Sequence, residues 1–395
     1  MRFASSIAAA ADMRQALDRL LVPMDARVTP GDVDHVLLFA TGHYDDELDD
    51  AVSKIASFFP SAVLIGCTAE GTIGGSKELE RVPSLSLLAA TLPDVSIRPF
   101  FMDQADLEQL SGPLDWERMV GASPESKPTF IALGDPFRFA ILEFIEQLNI
   151  AYPKAPVVGG IASAGRTPRE NRLWVSGETH REGVVGVSLT GRLEVQTVVS
   201  QGCRPIGRPF VITRAERNVI RELGGKPALE QLHHTLVDLE ARDDKLARES
   251  LFVGRVIDEY KDRFTRGDFL IHNIIGVDRQ SGALGIAGHA RVGSTVQFHV
   301  RDAESADEDL RAMLSPYGKN QFEGAMLFDC NGRGTQMWPE PHHDITVLRE
   351  MLGDVPTAGF FCGGEFGPVG GKNFVHGFTA SIALFREPEP EKGNE

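Results

Sequence analysis

Two short segments about three hundred residues apart carry the same chemistry: Gly66-Cys67-Thr68-Ala69-Glu70-Gly71 and Phe361-Cys362-Gly363-Gly364-Glu365-Phe366-Gly367. Each places a thiol and a carboxylate three residues apart in a glycine-rich turn that follows an apolar run. A glycine at a strand end lets the backbone come close to a ligand and leaves amides free to point at it. If both turns meet across a pseudo-symmetric interface, Glu70 and Glu365 could hold the amino group of a small ligand, while Arg204 or Arg333 takes its carboxylate by a bidentate contact. The alternative is that both glutamates only cap neighbouring backbone. A middle copy of the turn, with Ser163 in the glutamate's place, keeps that alternative open.

Two further stretches bear reactive groups. Cys330-Asn331-Gly332-Arg333-Gly334 joins a thiol, glycines and a guanidinium, a set that could bind an anion or lower the thiol pKa. As a nucleophile Cys330 would need a general base, for which His342 and His343 are near in sequence. Cys330 is the one catalytic candidate, and an ordinary modifiable thiol is the preferred reading. In Gln201-Gly202-Cys203-Arg204-Pro205-Ile206-Gly207 the glycines and proline fix an irregular turn, either a hinge between halves or a ligand-facing loop. The candidate ligand-binding residues are therefore Gly66, Cys67, Thr68, Glu70, Gly202, Cys203, Arg204, Cys330, Asn331, Arg333, Gly364 and Glu365.

These turns need elements to position them. Val36–Ala40 reads as a buried strand, Leu48, Ala51, Val52, Ile55 and Phe58 recur at helical spacing, and Ala62–Ile65 is a second strand leading into Cys67. The same order returns at Phe130–Leu133, a helix marked by Phe137, Ile141, Phe144, Ile145 and Leu148, and Pro156–Gly160. It returns again at Ala325–Phe328, a helix with Ile345, Leu348 and Leu352, and Thr357–Cys362. A further apolar strand closes each copy, at Leu85–Leu88, Gly183–Leu189 and Phe374–Ala380. Three β-α-β-β repeats imply mixed sheets covered by helices, an α/β fold shading into α+β.

Between the second and third copies Ala215–Thr235 reads as helical, broken by Leu223–Pro227, and Leu236–Arg248 as a charged surface helix. A strand-rich meander then covers Asp268–Asp278, Ser281–Ala287 and Thr295–Val300. Residues 1–32 read as an N-terminal amphipathic helix (Ile7, Ala10, Ala11, Leu17, Leu20, Leu21) and a lead-in, too charged for a signal peptide. Residues 387–395 form an acidic, Pro-rich tail expected to be disordered.

Composition excludes several classes. The formal charge of −16 disfavours phosphate-driven nucleic-acid binding. Four dispersed cysteines point to reduced thiols in a cytosol, and no run approaches a membrane span. Adjacent histidine pairs without a cysteine cluster argue against a metal, and no phosphate loop, dinucleotide fingerprint or nucleophile elbow occurs.

Ile65–Gly71, Gln201–Gly207, Phe269–Asp278, Asp329–Gly334 and Gly363–Pro368 together resemble the FIST proteins of bacterial signal transduction, also found in a eukaryotic F-box protein. The resemblance spans about residues 33 to 386 and implies an N-type region over 33–230 and a C-type region over 231–386. It implies a cytoplasmic sensory module that binds a small ligand, for example an amino acid, and signals through a separate protein. A haem-based nitric oxide sensor, an interaction scaffold and a cysteine enzyme built on Cys330 are the alternatives. Haem would need an axial histidine in an apolar pocket, and the sequence singles none out.

Overall fold

The computed structural model describes residues 1–237, 239, 246–247, 250–261, 263–264 and 267–388. Two compact units result: one from Met1–Val199 with Met313–Glu395, the other from Ser200–Ala312. The expected helix over 236–248 and the end of the acidic tail lie largely outside the described residues.

The first repeat runs β1 (Arg2–Ala9), α1 (Met13–Asp25), β2 (His35–Thr41), α2 (Leu48–Phe58), β3 (Val63–Ala69), β4 (Gly71–Gly74), β5 (Lys77–Glu80) and β6 (Ser84–Thr91). The second runs β7 (Val95–Met102), α3 (Gln104–Gln109), α4 (Pro113–Val120), β8 (Thr129–Gly134), α5 (Ile141–Ala151), β9 (Val157–Ile161), β10 (Leu173–Val175), β11 (Glu178–His180) and β12 (Val184–Gly191). The third begins with β13 (Glu194–Ser200) and leaves for the second unit. That unit holds β14 (Cys203–Glu216), β15 (Val219–Leu223), β16 (Lys226–Pro227), α6 (Ala228–Val237), β17 (Leu251–Val256), β18 (Phe269–Asp278), β19 (Ala283–Ile286) and β20 (Thr295–Arg301). After α7 (Ala303–Leu314) the third repeat resumes with β21 (Gly324–Cys330), α8 (His343–Leu352), β22 (Thr357–Cys362), β23 (Glu365–Val369), β24 (Lys372–His376) and β25 (Ala380–Arg386).

The α/β repeat is present and larger than expected. Each six-stranded sheet takes four strands from one repeat and a hairpin from another: β1-β6-β2-β3 receives β10-β11, β7-β12-β8-β9 receives β23-β24, and β13-β25-β21-β22 receives β4-β5. The pairs β2–β3, β8–β9 and β21–β22 are parallel, as a helical crossover demands. Inner faces of all three sheets merge into one apolar core containing Phe39, Ile65, Cys67, Leu133, Val158, Val187, Phe328, Phe360 and Cys362. Helices cover the outer faces; α1 and α2 bury Leu17, Leu20, Val52 and Ile55 against the first sheet. Asp12 caps α1 by accepting from the Gln15 amide at 2.8 Å.

Three local expectations need correction. The N-terminal helix starts only at Met13, because Arg2–Ala9 pairs along its whole length with Ser84–Thr91; the sheet edge overrides the helix propensity of alanines. The closing strand of the third repeat is Ala380–Arg386, since Phe378 at φ 63° ends the preceding hairpin. Residues 215–227 are not helical: Arg217 at φ 54° turns β14 back into β15, β16 follows, and the helix begins only at Ala228.

The second unit is an antiparallel ring in the order β14-β20-β17-β18-β19-β15, closed because β14 also pairs with β15. Of the expected meander, β18 and β19 pair in sequence order, whereas β20 crosses to lie between β14 and β17, a strand the sequence did not mark. Ring closure removes strand edges, and Ile206, Phe210, Val253, Leu284 and Phe298 form a core with Leu232 of α6.

Candidate functional site

Three strand-end turns, one per repeat, converge on a single serine. Ser163, after β9, accepts a hydrogen bond from the Glu70 amide at 2.9 Å and donates to the Phe361 carbonyl at 2.5 Å. Its own amide donates to the Thr68 carbonyl. Around it, the Gly363 amide donates to Ile161 O at 2.9 Å and the Ile161 amide to Gly364 O at 2.8 Å. The two Cys-x-x-Glu turns are therefore joined through the middle copy that carries serine.

Their carboxylates have different surroundings. Glu70 keeps a fifth of its side chain exposed and pairs at 3.4 Å with the exposed Arg81 and Arg166. Glu365 is fully buried: Oε2 accepts from the Thr379 amide at 3.2 Å, and Oε1 has no hydrogen-bond partner. Burial pushes the Glu365 carboxyl well above the carboxylate range, only partly offset by Thr379 N–H, the Cys330 thiol and Arg333.

Beside Glu365 the loop after β21 builds a charged nucleus in the protein interior. Arg333 is completely buried and grips Asp344 with both arms of its fork, Nε to Oδ2 at 2.6 Å and Nη2 to Oδ1 at 2.8 Å. This answers where the guanidinium goes: its bidentate partner is internal. Burial alone would raise Asp344, yet the Arg333 charge and hydrogen bonds, with His343 Nδ1 at 3.0 Å, hold it below the ordinary range. Asp329 has no such help. Neither of its oxygens accepts a hydrogen bond, and Arg333 Nε stays 3.9 Å away. Burial and then the Asp344 charge drive its carboxyl well upward.

The exchanged hairpin of the first repeat completes the nucleus. Glu78 Oε1 accepts from the Ile345 amide at 2.7 Å, satisfying an orphan donor at the start of α8, while its own amide donates to His342 Nδ1 at 2.9 Å. Glu80 takes the Thr335 amide at 2.8 Å and its hydroxyl at 2.9 Å. Trp338 stacks on His343 with centroids 3.7 Å apart. Four buried carboxyls thus share one guanidinium. Protonating a carboxyl at pH 7 costs about 4 kcal/mol, comparable with the several kcal/mol of leaving it ionised and buried; burial lifts Glu78, Asp329 and Glu365, whereas Arg333 holds Asp344 down.

The remaining candidates fall as follows. Gly66 serves packing, since a Cβ there would collide with the Leu38 carbonyl and the Trp174 indole. Cys67 and Cys362 face the central core, where burial raises both thiols well above their usual range. Thr68 Oγ1 accepts from the Arg172 amide at 2.9 Å. Cys330 and Asn331 are half-buried next to Asp329 in the chain, and the Asn331 amide donates to Cys362 O at 2.9 Å. Gly364 hydrogen-bonds through its carbonyl as described. The general base sought for Cys330 is otherwise occupied, because His342 receives the Glu78 amide and His343 pairs with Asp344.

Gly202, Cys203 and Arg204 belong to the second unit, and the expected irregular turn is the beginning of a strand. Cys203 and Arg204 pair with Arg301 and Val300, with a register break only between Ile206 and Phe210. Arg204 Nε lies 3.7 Å from Asp302, and the Gly202 amide donates to Asp309 at 3.1 Å.

Sequence reasoning missed Asp329, Asp344, Glu78 and Glu80. An aspartate closing the otherwise apolar run Ala325–Phe328 was the available signal for Asp329; nothing local marks Glu78. Among the described residues no group of three or more His, Cys, Asp or Glu is placed to hold a metal ion, and no helix is long and apolar enough to cross a membrane.

Uncharacterized proteins of Mycobacterium tuberculosis and Mycobacterium bovis are 37% identical to this chain, over 98% of it and 100% of the relative in the first case and 89% of each in the second. Among solved structures, a cyanuric acid hydrolase from A. caulinodans aligns over 98% of the chain at 8% identity with a TM-score of 0.38, too low to argue from. The model of the FIST N domain matches residues 34–226 and that of the FIST C domain residues 228–368. The chain belongs to the FIST family, whose domains suggest a sensory role in signal transduction.

Proposed function

We propose that this protein is a cytosolic small-ligand sensor whose ligand engages the strand ends of the third repeat and whose signal passes to a separate protein. One observation carries the reading: Asp329 and Glu365, both fully buried with unbonded carboxyl oxygens, lie beside the half-buried Cys330–Asn331 turn. Carboxyls lifted by burial and short of hydrogen bonds, which release their protons when a cation arrives, suit the ammonium group of an amino acid or related metabolite. Among the described residues the first two repeats offer no comparable set at their strand ends, where Thr41 bonds Ser84 and Asp135 bonds the Phe137 and Arg138 amides.

A thermal-shift screen of amino acids and amines tests this reading. A ligand at a hundred times its Kd adds about 2.7 kcal/mol to stability, a readily measured shift. Absence of any shift across the screen contradicts the proposal.

A haem reading would draw on a histidine in an apolar pocket. His35 Nδ1, His299 Nδ1 and His376 Nε2 each bond a backbone carbonyl, at 2.7, 3.0 and 2.9 Å, within packed strands, and this shared pattern singles out none of the three as an axial ligand.

A further inference from the structure

The exchanged hairpin β4–β5 is fastened to the third repeat by a carboxyl in an unusual place. Glu78 is 2% exposed, with Oε1 on the Ile345 amide and Oε2 buried without a hydrogen-bond partner. The groups that face it are all identifiable. Asp344 comes from the first turn of α8, with His342 and His343 at its start; Arg333 comes from the loop after β21, Asp329 from β21 itself, and Glu80 from the same strand. Arg333 is the only fixed cation among them, and its fork is committed to Asp344.

We propose that Glu78 is a proton-operated latch: protonated, it lets the hairpin of the first repeat close over the Arg333–Ile345 segment, and proton release loosens that closure. The chemistry follows from the surroundings. A neutral carboxyl can keep accepting from the Ile345 amide without bringing charge into the nucleus. An ionised one would sit in a dry environment beside the Asp344 charge, against a guanidinium already neutralised. Burial first, and then Asp344, lift the Glu78 carboxyl to about 8, so the closed state holds a proton across the neutral range.

The sign of the pH dependence is fixed by linkage. With the latch closed the carboxyl titrates near 8; once opened to water it returns to the ordinary range near 4.3. The closed state therefore binds more protons between these values, and opening becomes more favourable as pH rises through that window. Below it both states are protonated, and above it both are ionised, so the dependence vanishes at each end. One proton released on opening makes the opening constant grow about tenfold per pH unit inside the window.

Hydrogen exchange read by mass spectrometry, on ligand-free protein and corrected for intrinsic exchange chemistry, tests the latch. Protection of segments 71–80 and 343–347 should fall with rising pH from 6 to about 8 and level off above it. Glu78→Gln, which keeps the acceptor for Ile345 and cannot ionise, should remove one proton's worth of that slope, leaving these segments up to about tenfold better protected per unit of pH. Equal slopes in wild type and Glu78→Gln overturn the proposal. Infrared difference spectroscopy of the wild type supplies a second readout independent of the variant's folding: beside the bands of Asp329 and Glu365, one carboxyl's worth of neutral-carboxyl intensity should be lost between pH 7 and 9, and a difference spectrum without any such loss overturns the latch. Neither measurement contains a ligand, so failure here leaves the sensor reading standing.

Discussion

Arg333 governs the charge balance of the interior. It is the one guanidinium among Glu78, Asp329, Asp344 and Glu365, and its planar fork meets Asp344 in a geometry that an ammonium cannot reproduce. Truncation would strand Asp344 as a buried charge. We expect Arg333→Ala to destabilise the fold by about 3–5 kcal/mol, and Arg333→Lys to recover only part of it, as measured by denaturant unfolding. A loss under 1 kcal/mol would show that the nucleus relaxes into water. At this scale the sequence was half legible. The guanidinium and the thiol beside glycine were visible at 330–334, but a fork's partner lies wherever the chain returns, and Asp344 reads in sequence as an ordinary first-turn acid.

Hairpins, more than helices, tie the elements together. Because β4–β5, β10–β11 and β23–β24 each pair in another repeat's sheet, no repeat can complete its sheet alone. The tie is close at Gly66, where β3 lies against Trp174 of the visiting strand β10. Gly66→Ala should part these strands and cost about 2 kcal/mol or more, in the range of overpacking a dense core. Gly177→Ala, at the tip of the same hairpin, where a Cβ meets open space but φ is 89°, should cost about 1 kcal/mol through backbone strain alone. Comparison of the two melting temperatures checks the order; reversal would refute the packing argument. Helices and central strands were legible because their apolar period is long. The hairpins were not: Lys77–Glu80 and Glu178–His180 are short and polar, and their partners are chosen by tertiary geometry. For the same reason Arg2–Ala9 looked helical, its strand identity being conferred by Ser84–Thr91.

Across the whole molecule, a threefold-repeated sheet unit carries an inserted barrel at the first connection of its third repeat, where the other repeats have only helices. The family match changes from N to C domain near residue 227, inside that barrel, so the two divisions mark different things. Repetition was readable as three apolar cadences. The insertion was not, since a ring of strands closes through the two ends of β14, far apart in pairing partner though continuous in sequence. Repetition also sets the proposed site apart: three equivalent strand ends exist, and the third gathers the under-bonded carboxyls and the half-buried thiol. Calorimetric titration of a stabilising amino compound into wild type and Asp329→Asn is the most direct measurement. The account predicts saturable one-to-one binding to wild type, weakened at least tenfold, about 1.4 kcal/mol, in Asp329→Asn of unchanged fold. Equal affinity of the two proteins would contradict a ligand site at the third repeat.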